Sequence, residues 1–328
     1  MPIIGKQQEV GFSIEGVRGT AETTVSKWLK NTSVTINPHV EKVIDESSQG
    51  RIEDSKQTRV VKKWFEGSIN GNIHIDALGY VLKQLYGAVA TTTVEADTVY
   101  AHVFTINNDI DNDSLSLFIK DGDVNQRVLN GAVVKTFEIT AEPDEYVKFS
   151  LELSARDEAV DTNTPSYDTE YEFIAKDITV KIADTEVGLV SATAVGTKSL
   201  SLKWDAGSIV DHTFGSYTPD DIYNSKMSLE GSVEKNYADD TFRDLWQSED
   251  AKYMQIVLTG VTDIGGTNYP TITILLNKIQ VTGWEKSGGA DELITENIDF
   301  KAFYNETDSQ QSKITLQNVT GSYEAPAS

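Results

Sequence analysis

The sequence predicts a mainly β (α+β) fold: two tandem units, each made of two packed antiparallel sheets with a flanking α-helix. Three observations carry this. Apolar and polar residues alternate with a period of two, the mark of strands with one buried face. Two segments break that alternation with helical spacing. A short motif occurs twice, as "FEGSINGN" from Phe65 and as "LEGSVEKN" from Leu229. Its two copies stand half of the 328-residue chain apart.

The strands come first. In "EYVKFSLELSA" (145–155), Val147, Phe149, Leu151, Leu153 and Ala155 point one way, and Lys148, Ser150, Glu152 and Ser154 the other. "TSVTI" (32–36), "SLSLFIK", "ITVKIA", "SLSLKW" and "NIDFKAFY" repeat the pattern. Such strands belong to antiparallel sheets, not to the continuous apolar runs of a parallel one. "DIGGTNYP" (263–270) reads as a turn between strands.

The helices follow the repeated motif. After Asp76, Leu78, Val81, Leu82 and Leu85 recur at i, i+3, i+4 and i+7, with Asp76 as N-cap and Gly87 as the stop. After Asp240, Phe242, Leu245 and Trp246 take the same places. A stripe of four apolar residues is too narrow to be buried all round, so each helix is expected to cover one face or one open end of the sheets. "LSLFIKDG" then answers to "MQIVLTG", and the strand pair after it to "KIQVTGW" and "ELITENIDFKAFY". The predicted units are 1–156, with an N-terminal arm, and 172–328. The polar, aperiodic stretch 157–171 reads as a linker between them.

Composition removes several classes of function. There is no cysteine, so thiolate chemistry, disulfides and Cys-ligated metals are out. His39, His74, His102 and His212 have no paired spacing, and "DIDNDS" (109–114) lacks the glycine and glutamate of a calcium loop. No glycine-rich phosphate loop or nucleophile elbow occurs. No catalytic, metal or cofactor residues are assigned, and the protein is expected not to be an enzyme. No apolar run is long enough to span a membrane, and no secretory signal is expected at the N-terminus. Net charge is −23, with 51 acidic and 28 basic residues, a balance that repels nucleic acid.

The segment 41–63 stands out for length and mixed charge. It reads as a long loop inside the first unit, of the kind that is usually functional or disordered. As an arm reaching a neighbouring subunit, it would offer Glu41, Asp45, Glu46, Arg51, Glu53, Asp54, Lys56 and Arg59 for intersubunit ion pairs.

"EVGFSIEGVRGTAETTVSKWLK", followed by "EKVIDESSQGRIEDSKQTRVVKKWFEGSI" and later "DFKAFYN", resembles the tail tube proteins of long-tailed, non-contractile bacteriophages. The resemblance spans nearly the whole chain and rests on structural motifs. It implies rings that join their sheets into an inner barrel and stack into a tube in the virion tail. The implied partners are further copies of the chain, a tape-measure protein, a tail terminator and a distal tail protein. DNA would transit the lumen without specific binding, and no membrane or cofactor is implied. Assembly would take place in the host cytoplasm. No extra immunoglobulin-like domain is expected. With two units per chain, a ring of three chains with pseudo-sixfold symmetry is expected. Two other readings stay open: a distal-tail or baseplate ring protein, and a two-domain β-sandwich adhesin binding sugars through aromatics such as Tyr100, Trp204 or Tyr217.

Overall fold

The alternating segments are strands, and eighteen of them join one antiparallel sheet system. The structure, a computed structural model, describes residues 2–325 apart from 31, 47–49, 54–55 and 97. The first half contains β1 (Gln8–Ile14), β2 (Lys27–Leu29), β3 (Thr32–Ile44), β4 (Thr58–Asn72), α1 (Ile75–Tyr86) and β5 (Gly87–Glu95). It continues with β6 (Val99–Ile106), β7 (Leu115–Asp121), β8 (Asn125–Ala141), β9 (Lys148–Ala155) and β10 (Asp157–Val160). The second half opens with β11 (Ile178–Ala183), α2 (Gly188–Ser191), β12 (Ala194–Val195), β13 (Thr197–Asp205), β14 (Ser208–Asp211) and β15 (Asp221–Asn224). It closes with β16 (Ser228–Asn236), α3 (Thr241–Ser248), β17 (Lys252–Thr259), β18 (Thr271–Ser287), β19 (Thr295–Ala302) and β20 (Ser312–Asn318).

The pairing order of the first half, β1·β7·β8·β9·β4·β3, recurs in the second as β11·β17·β18·β19·β16·β13. The registers agree as well. Phe65 faces Ala155 and Gly67 faces Leu153, just as Leu229 faces Ala302 and Gly231 faces Phe300. The shift in β8 against β9 lies between Val134 and Thr136, and that in β18 against β19 between Val281 and Gly283. A bulge bends its strand, and both long strands change partners near theirs. The first part of β8 pairs with β7 and β10, the second with β9 and β13. The first part of β18 pairs with β17 and β20, the second with β19 alone.

The glycine of the repeated motif has a steric reason. A Cβ at Gly67 would lie 2.0 Å from Thr35 O, and one at Gly231 2.7 Å from Ser201 O. The neighbouring strand crosses too close for any side chain.

Several expectations are corrected. The helix α1 is buried on every side, not along one stripe. Its polar residues are partnered: Lys83 lies 3.2 Å from Asp113 and 3.0 Å from Glu324 at the surface, and Gln84 Oε1 accepts from Val134 N at 2.9 Å inside. The segment after β20 closes over it. Tyr323 packs on Gly79, where a Cβ would meet the ring at 2.0 Å, and donates its hydroxyl to Asp76 O at 2.8 Å. Asp76 is not the N-cap; His74 holds that position without a side-chain bond. Glu170 accepts instead from the amides of Asp76 and Ala77, at 3.0 and 3.2 Å. A carboxylate there meets both the unpaired amides and the positive end of the helix dipole. By contrast, α3 buries only Phe242 and leaves Trp246 42% exposed.

The stretch 157–171 is no free linker. It opens as β10 on the edge of β8, and its side chains tie it down: Tyr167 donates to Glu9 at 2.8 Å, and Lys27 lies 3.1 Å from both Asp168 and Glu170. Side chains, not a ladder, meet its polar groups, which is why no period marks it. The N-terminal segment is a core strand over much of its length, with Val10, Phe12 and Ile14 fully buried between β2 and β7. Nor is β7 half-buried: Phe118 packs with Trp28 and Val128 on its second face.

Candidate functional site

One row of side chains crosses eight strands without interruption. Val34, Ile69, Leu151, Phe137, Trp204, Leu229, Ala302 and Ile279 face one another in turn across β3, β4, β9, β8, β13, β16, β19 and β18. None is more than 7% exposed. The seam between the halves is the pairing of β8 with β13, Leu200 against Ala141 through Asp205 against Thr136. Trp204 anchors it from below, donating Nε1–H to the buried Tyr86 hydroxyl at 3.0 Å.

Because strand side chains alternate, the next row lies on the opposite face. Ser33, Asn70, Ser150, Glu138, Lys203, Glu230, Lys301 and Gln280 line up across the same eight strands. None of them is buried. The sheet therefore has one apolar side, covered by the rest of the chain, and one polar side that stays largely accessible among the described residues. On that polar side Glu66, Glu138, Glu152, Asp205, Glu230, Glu234, Glu285 and Asp299 outnumber Lys135, Lys148, Lys203 and Lys301, so the face is net acidic. Lys301 lies 2.6 Å from Glu230 and lowers its pKa through that bond; Lys226, 2.7 Å from Asp205, does the same there. Both carboxylates stay ionised at neutral pH.

The polar face is indented over its first four strands. A trough of 350 Å³ lies among Thr35, Asn37, Glu66, Ser68 and Glu152. At one end a wider cleft of 1240 Å³ separates Lys6–Glu9 and Lys120 from Asn70, Glu138, Thr140 and Lys148. Its mixed charges converge on no single point, so nothing there selects a small ligand.

Both ends of the eight-strand run are open. Among the described residues β3 pairs only with β4, and β18 from Val281 to Ser287 pairs only with β19. Unpaired edges of this kind are templates for another strand.

The charged segment 41–63 is not a loop. It is the outer part of a hairpin in which β3 and β4 stay paired as far as Ile44 and Thr58. It is rich in β-branched residues, Val40, Val43 and Ile44 on β3 and Thr58, Val60 and Val61 on β4, which favours strand over coil. Glu41 lies on β3, 3.7 Å from Lys62 of its own hairpin, and Arg59 lies on β4 opposite Val43. Beyond the ladder, the Lys56 amide donates to Asp45 O at 3.0 Å. Glu46, Arg51 and Glu53 are exposed near the tip, and Asp54 lies outside the described residues. The hairpin brings these residues onto one element but gathers no charge cluster. The sequence reading passed over the apolar surface of the same hairpin: Val40, Val43, Ile44, Ile52, Val60 and Val61 are all exposed. The β-branched residues of "HVEKVI" and "TRVVKKW" are the available signal. At the hairpin's base Trp64 packs on His39 of its own hairpin at 4.1 Å, and the second half holds it from outside: His212 meets Trp64 at 5.4 Å, and Lys63 N donates to Tyr217 O.

Of the aromatics considered for sugar binding, Trp204 is fully buried, Tyr100 partly so, and Tyr217 is 64% exposed. They form no platform. Among the described residues no helix is long and apolar enough to cross a membrane.

A family model described as "Phage tail tube protein" matches residues 5–302. No curated protein matches the chain. Among solved structures, the chain is similar to the SPP1 tail tube determined by solid-state NMR and cryo-EM. The identity is 12%, over 46% of this chain and 81% of that one, at a TM-score of 0.30. A likeness at that level says nothing about function.

Proposed function

From the premise that the chain belongs to the phage tail tube protein family, we propose that three copies close into a ring of pseudo-sixfold symmetry and that such rings stack into the tube. Membership makes the chain a structural component of the virion tail that assembles with itself, and not an enzyme. The two units run over 1–156 and 172–328, joined by the strap 157–171. The shared strand order, the common register and the matching bulges support that division.

The observation that carries the ring is the eight-strand run with an open edge at each end. Four strands come from each half, and the halves are already joined side by side through β8 and β13. Three chains then contribute twenty-four strands. At a spacing of about 4.8 Å and a tilt of about 40°, that many strands close on a backbone diameter of roughly 45–50 Å. Side chains about 5 Å long on each wall leave a bore of roughly 35–40 Å, wider than a DNA duplex. The polar face lines the bore. Its excess of carboxylates repels phosphates within a Debye length of about 8–10 Å, so DNA passes without adhering.

The hairpin of residues 41–63 is the arm that reaches a neighbouring copy. Its exposed valines and isoleucines supply apolar area, while Glu41, Asp45, Glu46, Arg51, Glu53, Asp54, Lys56 and Arg59 set register. A tape-measure protein inside the tube and terminator and distal tail proteins at its ends complete the assembly, which takes place in the host cytoplasm. Cryo-EM of the purified protein after assembly tests the reading. Hollow tubes with three chains per ring and the β8·β13 sheet facing the axis are expected. Six chains per ring, or that sheet facing outward, would overturn it.

A further inference from the structure

We infer that the ring closes by pairing the free edge of β18 with β3 of a second copy, in the register that β8 and β13 already display within one chain. The inference rests on the ring reading above and adds the identity of the two strands and their alignment.

Asn37 faces Glu66 as Lys203 faces Glu230, so β3 in the first half occupies the place of β13 in the second. Val134 faces Leu153 as Val281 faces Phe300, and Thr136 faces Glu152 as Gly283 faces Asp299, so the outer part of β18 occupies the place of β8. Within the chain, β8 is the last strand of the first four and β13 the first of the next four. Across chains, β18 is the last strand and β3 the first. The two edges left open are therefore copies of the two edges already joined.

Carrying the observed register over fixes the partners. Lys203 faces Glu138, so Asn37 of one copy faces Glu285 of the next. Trp204 faces Phe137, so Pro38 meets Trp284 on the apolar side. Leu202 faces Ile139, so Ile36 lies along the stem of Lys286. These pairings place no like charges in opposition. They cover Trp284, which is only partly buried in the single chain. They also continue the apolar side of the sheet across the joint, from Trp284 of one copy to Pro38 of the next. Pro38 has no amide proton, and proline within sheets is confined to edges; here it stands where the paired part of β3 gives way to the arm. The contact is head to tail, which closes a ring when the rotation is right.

The chain has no cysteine, so engineered pairs report without background. The variant N37C/E285C, oxidised after assembly, is expected to move most of the protein to covalent dimers and trimers on a non-reducing gel. The variant K203C/E138C, at the corresponding places inside the chain, is expected to link within the monomer and so shows that the oxidation works. The variant N37C/S287C, displaced by two residues, is expected to remain monomeric. If three-chain rings form but N37C/E285C does not link, or the displaced pair links in its place, the inference is wrong and the ring reading stands. If wild-type protein forms rings of another size, or none, the ring reading fails, and the inference with it.

Discussion

Single residues in this chain are constrained mostly by how closely strands cross. Gly67 and Gly231 have no room for a methyl group, with the nearest atoms at 2.0 Å and 2.5 Å. The obstacle at Gly67 is backbone, and at Gly231 it is the tip of the Phe300 ring as well as Ser201 O. Gly67→Ala is expected to cost about 2–3 kcal/mol and Gly231→Ala about 1–2 kcal/mol, since overpacking falls in that range and a ring tip yields more easily than main chain. Urea denaturation of the unassembled protein measures both, and equal or negligible losses would refute the steric account. Asp76 governs a different property. Burial and the neighbouring Glu170 charge raise its pKa to about 6, against the opposing pull of Lys27. The folded chain thus keeps this proton where the unfolded chain, with a value near 3.8, has lost it. The contribution to stability is complete below about 3.8 and is lost as pH rises through about 6. Relative to Asp76→Asn, the wild type is expected to gain thermal stability between pH 7.5 and pH 5. A parallel pH profile for the two proteins would contradict it.

The elements differ in how much of their surface the single chain satisfies. The helix α1 is enclosed because the strap 157–171 caps its N-terminus and the C-terminal segment covers its outer side. Its partner α3 has neither, so the same apolar spacing leaves Trp246 exposed. The hairpin of β3 and β4 is satisfied in its backbone but not in its side chains, with Val43 and Ile44 more than half exposed. Replacing both by aspartate removes apolar contact area without disturbing a core, so folding stability is expected to change by no more than about 0.5 kcal/mol. Tube growth is expected to fall at least tenfold. Turbidity or electron microscopy measures growth and circular dichroism the fold. Normal tubes from that variant would remove the arm from the assembly.

At the scale of the molecule the governing fact is the separation of the eight-strand sheet into one apolar and one polar face. The polar face holds its charge balance through partners such as Lys301 on Glu230, which leave carboxylates in excess. Reversing three of them, as in Glu66→Lys, Glu152→Lys and Asp299→Lys, changes the face by six charges per chain. Tubes of this variant are expected to retain duplex DNA at about 0.05 M salt and to release it as salt rises, the signature of phosphate contacts. Wild-type tubes are expected to retain none at either concentration. Retention by the wild type, or none by the variant, would place the polar face outside the bore.

The sequence by itself determined the class of the fold, because a period of two is a local property that any strand with one wet face must show. It also carried the repeated motif, because the tight strand crossing requires a glycine at both Gly67 and Gly231. Only the tertiary structure decided which face of which strands forms the continuous polar surface. Alternation gives each strand two sides but does not say which side the neighbours share. The burial of α1, the tied strap and the hairpin within the charged segment were likewise undecided. Each depends on partners far away in the chain, Glu170 and Tyr323 for the helix among them, and no local pattern records a distant partner.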